Sequence, residues 1–315
     1  MNASQTEKPK RRKFFRRVRR PQVKYVTLLP SVITLLNGIF GFAALSFADR
    51  GAQDWNFHQF TISHYTIAAY LIFFGMIADM LDGRVARMSH TTSSFGGQLD
   101  SLCDVISFGV APAFLLLNFL QDTMLVRLEG MEAAISLATR WIWLAAGLFV
   151  ACAIVRLARF NVENEEDETS HLTFSGLPSP AAAGVICSIV LFYDDMRTTL
   201  GSTSSVFRNV ETAVVAVLPI IAIAIALLMV SRIRYPHMVN QYFRGKKPVE
   251  HLLWVGAIFG LIWLCGLQSA LALVFVGFAF SGLVRWMVIR RKTPRIAIAE
   301  LPKPLVETTG PGQSE

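Results

Sequence analysis

Asp79-Met80-Leu81-Asp82-Gly83-Arg84-Val85-Ala86-Arg87, followed eight residues later by Gly96-Gly97-Gln98-Leu99-Asp100-Ser101-Leu102-Cys103-Asp104, is the most informative stretch of this chain. It puts four aspartates in or beside apolar helices, where a charge at mid-membrane depth costs roughly 2.5–3.5 kcal/mol on insertion scales. Asp79, Asp82, Gly83, Ala86 and Arg87 are spaced three and four apart, so a helix places them on one face. Gly96, Asp100 and Asp104 recur every four residues on the helix that follows. The polar run Ser89–Ser94 is a short link, which makes the two helices antiparallel neighbours. With the tip near Thr91, Asp82 and Asp100 lie at equal depth, about 13 Å of helix rise from the tip. Asp79 and Asp104 then lie together about one turn deeper.

Four carboxylates brought together repel one another, and two nearby arginines (Arg84, Arg87) do not neutralise them. Hard divalent cations resolve the conflict, because Mg²⁺ and Mn²⁺ prefer oxygen ligands. The set suits one or two such ions, and a two-ion site can clamp a phosphoryl group during displacement. Gly83, Ala86 and Gly96 remove bulk from the hairpin, so a nucleotide or diphosphate can approach the backbone. Small residues in membrane helices also serve simply to pack helices closely. Arg87 offers a guanidinium fork for phosphate oxygens, or a partner for Asp79 or Asp82.

Outward from the hairpin, the chain is that of a membrane protein. Hydrophobic residues make up 53% and charged residues 17% of its 315 positions, against about 25% charged in soluble domains. Eight apolar segments approach or reach the roughly 20 residues needed to span: Val26–Phe47, His64–Met88, Phe95–Leu120, Ile135–Leu157, Ser179–Tyr193, Thr212–Val230, His251–Cys265 and Ala270–Ile289. The first is too long for a signal peptide and is expected to be retained. Ser179 followed by Pro180 reads as the N-cap and first residue of the fifth helix. Glu163–Ser170 and Asp49–Ser63 read as loops.

Charge sets the orientation. The first 24 residues hold ten Lys or Arg and one acid, and Arg232–Lys247 and Arg285–Lys292 are also basic. Beside membrane helices such runs bind anionic lipid and mark the cytoplasmic side, so no nucleic-acid partner is expected. Eight spans leave both termini cytoplasmic. The expected organisation is a basic segment over 1–24, a catalytic membrane core over 25–235, two further transmembrane helices over 236–292 and a flexible tail over 293–315. The four cysteines (Cys103, Cys152, Cys187, Cys265) sit in apolar segments without CxxC spacing and read as core residues. The six histidines lie at segment edges or in loops.

The eight specified positions from Asp79 to Asp104 match D-x2-D-G-x2-A-R-x8-G-x3-D-x3-D, and so resemble the CDP-alcohol phosphatidyltransferase family. The resemblance implies an all-α polytopic membrane protein with a six-helix core, here with two C-terminal transmembrane helices, usually a homodimer. It implies a divalent-metal site, Mg²⁺ or Mn²⁺ and two ions, with Asp79, Asp82, Asp100 and Asp104 as ligands. Asp104 is then the base for the incoming hydroxyl, and Gly83, Ala86, Arg87 and Gly96 resemble the positions that bind the CDP moiety. The implied setting is a multi-pass location, a bacterial inner membrane.

Three flanking segments are similar to the phosphatidylserine synthases within that family: Leu29–Gly41, Arg156–Asn161 and Phe174–Gly184. They imply CDP-diacylglycerol and L-serine as substrates, phosphatidylserine and CMP as products. Arg156, Arg159 and Asn161 are candidates for contact with the acceptor or with phosphate, although arginines at a cytoplasmic helix end also snorkel; Asn37 is a weaker candidate. Alternatives are a family member with glycerol-3-phosphate or an inositol compound as acceptor, and, more distantly, a divalent-cation transporter.

Overall fold

The computed structural model describes residues 28–51, 54–57, 60–89, 94–127, 132–166, 176–233, 260 and 262–292. Its helices are α1 (Leu28–Ala48), α2 (His64–Ser89), α3 (Ser94–Asp104), α4 (Ala111–Arg127), α5 (Glu132–Glu166), α6 (Ser179–Leu200), α7 (Ser205–Val230) and α8 (Leu267–Lys292). A π-helical segment, Val105–Val110, joins α3 to α4, and the three form one span, Phe95–Leu125. Among the described residues seven helices are long and apolar enough to cross a membrane. In lipid every backbone polar group must be satisfied within the chain, which helices do locally. Residues 251–259 and 261 of the expected segment His251–Cys265 lie outside the described residues. So do the basic segment 1–24, the tail 293–315 and the link around Thr91.

The sequence pattern of α1 is inverted relative to a soluble helix. Thr34, Asn37, Gly41, Ala44 and Ala48, three and four apart, are buried, while Val32, Leu35, Leu36, Ile39 and Phe42 face outward. Lipid is as apolar as leucine, so small and polar residues mark the face that packs on protein. That face lies along α2, and it also meets α3 and the π-helical segment. A Cβ at Gly38 would stand 3.0 Å from Cys103 Sγ, and one at Gly41 would stand 2.8 Å from Ser107 Cα. Only glycine at 41 permits this approach. Gly41→Ala is expected to force α1 off the π-helical segment and destabilise the protein by about 1–3 kcal/mol, readable as a lowered midpoint of thermal unfolding in detergent.

Gly176 lies in the stretch before α6. It has φ of +92°, a region that glycine adopts without strain, and Met229 O occupies the space where a Cβ would go. Its N–H donates to Ile233 O at 2.9 Å, and Leu177 N donates to Leu228 O at 3.1 Å. The start of α6 is thereby tied to the end of α7. At the far end of the bundle, hydroxyls are paired with carboxylates: Tyr65 to Asp122 at 2.6 Å, Thr66 to Asp194 at 2.7 Å and Tyr193 to Glu211 at 2.9 Å. These bonds join α2, α4, α6 and α7 around a cavity of about 340 Å³.

Several boundaries differ from the sequence expectation. The stretch expected as a loop before α2 holds an antiparallel hairpin, β1 (Asp54–Phe57) with β2 (Phe60–Ser63). Trp55 in β1 stacks on Phe47 at 5.4 Å, an anchor suited to the membrane interface. Helix α5 runs on to Glu166, so the first part of the expected acidic loop is helical; beyond the apolar stretch, polar residues in water still extend a helix already nucleated. Helix α6 runs on to Leu200. Its cap residue is Pro178, and Ser179 is its first helical residue with no side-chain cap. The Ser179 hydroxyl is engaged elsewhere, by Arg156.

Candidate active site

The site is built at the end of the bundle where α2 finishes and α3 begins. The deep half of α2 presents Asp79 and Asp82, and α3 presents Asp100. One carboxylate oxygen from each lies within 4.8 Å of the others. Asp104 is not part of that trio. It closes α3, is buried, and accepts a hydrogen bond at 3.0 Å from Asn37 Nδ2 on α1. Three of the four carboxylates expected to meet therefore converge from α2 and α3, and the fourth is held beside them by α1.

Few groups among the described residues compensate these carboxylates. Asp82 is 5% exposed and accepts hydrogen bonds from the Thr34 hydroxyl and the Gly83 backbone N–H. Its Oδ2, and Oδ1 of Asp100, are buried without a hydrogen-bond partner among the described residues. Buried polar atoms in proteins are normally paired. Two orphaned carboxylate oxygens within a three-carboxylate cluster are the donor set of a hard divalent cation, and the residues present fit that group.

Arg156, half-buried on α5, is a cation whose charge acts on Asp79 and Asp104. Its Nη1 donates to Ser179 Oγ at 2.7 Å, while its buried Nε has no hydrogen-bond partner among the described residues. A guanidinium turned inward to the first residue of α6 is not snorkelling towards the headgroups. Asn161 reaches α3, where its Oδ1 lies 3.0 Å from Ser101 Oγ, next to Asp100 in sequence. Arg159 is half-buried and Arg84 exposed.

The glycines divide between the two roles open to them. A Cβ at Gly83, or at Gly97, would meet nothing within 4 Å, so packing within the chain does not account for Gly83. Gly38 and Gly41 on α1 are the close-packing glycines. Gly96 is half-buried. The side chains of Ala86 and Arg87 lie outside the described residues.

Sequence alone assigns no site role to Thr34, Ser107 or Ser179, and only a weak one to Asn37. Thr34 and Asn37 carry a usable signal: polar residues three apart on the one face of α1 that turns from lipid. Ser179 and Ser107 carry none, since their partners are far away in sequence.

Comparison with known proteins fits this geometry. Residues 27–228 match the model of the family described as CDP-alcohol phosphatidyltransferase. A CDP-diacylglycerol–serine O-phosphatidyltransferase of Helicobacter pylori is 32% identical over 230 residues, 72% of this chain and 83% of that protein. One of Methanocaldococcus jannaschii is 30% identical over 69% of this chain and 83% of its own length. An archaetidylserine synthase of Methanothermobacter thermautotrophicus is 31% identical over 67% of this chain and 70% of its own. The aspartate cluster, the membrane helices that carry it and these matches together make the chain a member of the CDP-alcohol phosphatidyltransferase family.

Proposed function

We propose that the protein transfers the phosphatidyl group of CDP-diacylglycerol to L-serine, giving phosphatidylserine and CMP. The observation that carries the reading is the convergence of Asp79, Asp82 and Asp100 with Asp104 fixed beside them. Serine as the acceptor rests on the relatives, whose names share serine although their lipids differ.

In this reading Asp79, Asp82 and Asp100 hold divalent metal, Mg²⁺ or Mn²⁺. A divalent ion bound there supplies Lewis-acid polarisation of the phosphoryl oxygens and a counter-charge for the departing CMP. Gly83 and Gly96 leave room for the diphosphate at the hairpin surface. Asp104 takes the proton of the serine hydroxyl as its oxygen attacks the β-phosphorus, since that hydroxyl is a weak nucleophile while protonated. The bond from the β-phosphorus to the bridging oxygen breaks, and CMP leaves with that oxygen. Arg156, turned inward beside Ser179, supports a carboxylate or phosphate contact, with Arg159 and Asn161 flanking it.

The site sits where basic residues gather, among Arg84, Arg156, Arg159 and Arg232, near the start of α1. By the positive-inside bias this end faces the cytoplasm, where serine and CMP are soluble. The test is CMP release by purified protein with CDP-diacylglycerol and Mn²⁺ or Mg²⁺, with L-serine, glycerol-3-phosphate and inositol supplied separately. Release is expected with L-serine. Release only with another acceptor overturns the serine assignment and keeps the family chemistry. Metal flux without CMP release would favour a cation transporter instead.

A further inference from the structure

Asn37 is fully buried on α1, and three elements close on this residue. Its Nδ2 donates to Asp104 Oδ1 at 3.0 Å. Its backbone carbonyl accepts from Ser107 Oγ at 2.8 Å, and Ser107 belongs to the π-helical segment that begins directly after Asp104. Single-turn π-helical insertions occur frequently at functional sites. Glycines make the fit possible. A Cβ at Gly41 would lie 2.5 Å from Ser107 Oγ, and one at Gly75 on α2 would lie 2.9 Å from Asn37 Oδ1.

The other half of the amide is unused. Asn37 Oδ1 is buried without a hydrogen-bond partner among the described residues, and a buried carbonyl without a donor is unfavourable for folding. A leucine of similar size would avoid that penalty. What asparagine adds at this position is an amide donor, and it serves Asp104. The geometry points to Asn37 as a positioning residue: Nδ2 fixes Oδ1 of Asp104 and leaves Oδ2 as the oxygen that takes the acceptor's proton. Gly75 packs against Oδ1 and limits the room for the amide to turn, while Ser107 ties the backbone of Asn37 to the π-helical segment. The inference rests on the reading of Asp104 as the base.

Asn37→Leu removes both the N–H and the orphaned carbonyl, so the fold is expected to persist. Its kcat for serine-dependent CMP release is expected to fall about ten- to a hundredfold, the range for losing one hydrogen bond to a charged group. The Kd for CDP-diacylglycerol, measured without acceptor, is expected to stay within about twofold, as for an interaction used only beyond the ground state. Gly75→Ala leaves the amide in place but crowds Oδ1, and is expected to show the same split. Unchanged kcat in Asn37→Leu, or equal losses of kcat and lipid binding in both variants, overturns the positioning role. Asp104→Asn separates this from failure of the base assignment: full turnover there removes the base itself. An inactive Asp104→Asn beside an unimpaired Asn37→Leu removes only the positioning.

Discussion

Asp104→Asn is expected to lower serine-dependent CMP release by about 10²–10⁴-fold, the usual contribution of a positioned general base, with CDP-diacylglycerol binding retained. The substitution is nearly isosteric. Its carbonyl can still accept from Asn37 Nδ2, so the contact between α1 and α3 survives. Folding is not expected to suffer either, because one negative charge leaves a buried neighbourhood that contains Asp79 and Asp100. The variant therefore separates chemistry from architecture. Binding of CDP-diacylglycerol by the variant, measured without serine, checks that the nucleotide and metal parts are intact, and a stopped assay for CMP reads the loss. Near-normal turnover would remove Asp104 from the base role and leave it as a buried residue of the α1–α3 contact.

The legible part of this protein was the part written in short-range spacing. Asp79, Asp82, Asp100 and Asp104 fall three or four residues apart on consecutive helices, and helical periodicity alone placed them on facing surfaces at matched depth. The structure brings three of them within 4.8 Å. The apolar segments were legible for a similar reason, since lipid thickness sets their length. What could not be read was long-range. Arg156 meets Ser179, and Asn37 meets Asp104, through pairings that only tertiary packing defines. The two roles open to glycine also needed coordinates. Gly41 faces backbone, while Gly83 faces open space, yet both read alike as small residues in an apolar run. The helix ends drifted because hydropathy marks where lipid stops, not where a helix stops. Thus α5 continues to Glu166 and α6 to Leu200.

The aspartate trio makes a second large effect predictable, and it changes sign with metal. Without metal, the three clustered carboxylates repel one another, and two of their oxygens lack a hydrogen-bond partner among the described residues. Asp100→Asn removes one of those charges, so in chelator its thermal unfolding midpoint is expected to rise above that of the unsubstituted protein. With Mn²⁺ the order is expected to reverse. A ligand that binds the folded state at a hundred times its Kd stabilises that state by about 2.7 kcal/mol, and the variant forfeits most of this by losing a ligand oxygen. Mn²⁺ binding followed by its electron paramagnetic resonance gives a readout independent of turnover. CMP release by the variant is expected to fall by at least about a hundredfold, because phosphoryl-transfer catalysis is mostly positioning and charge stabilisation. A variant less stable than the unsubstituted protein in chelator would mean that the cluster is held by internal pairing and not by a bound cation. A variant that keeps full Mn²⁺ affinity would take Asp100 out of the ligand set. The crossing of the two stability curves is what a metal centre predicts, and a merely structural acidic cluster does not produce it.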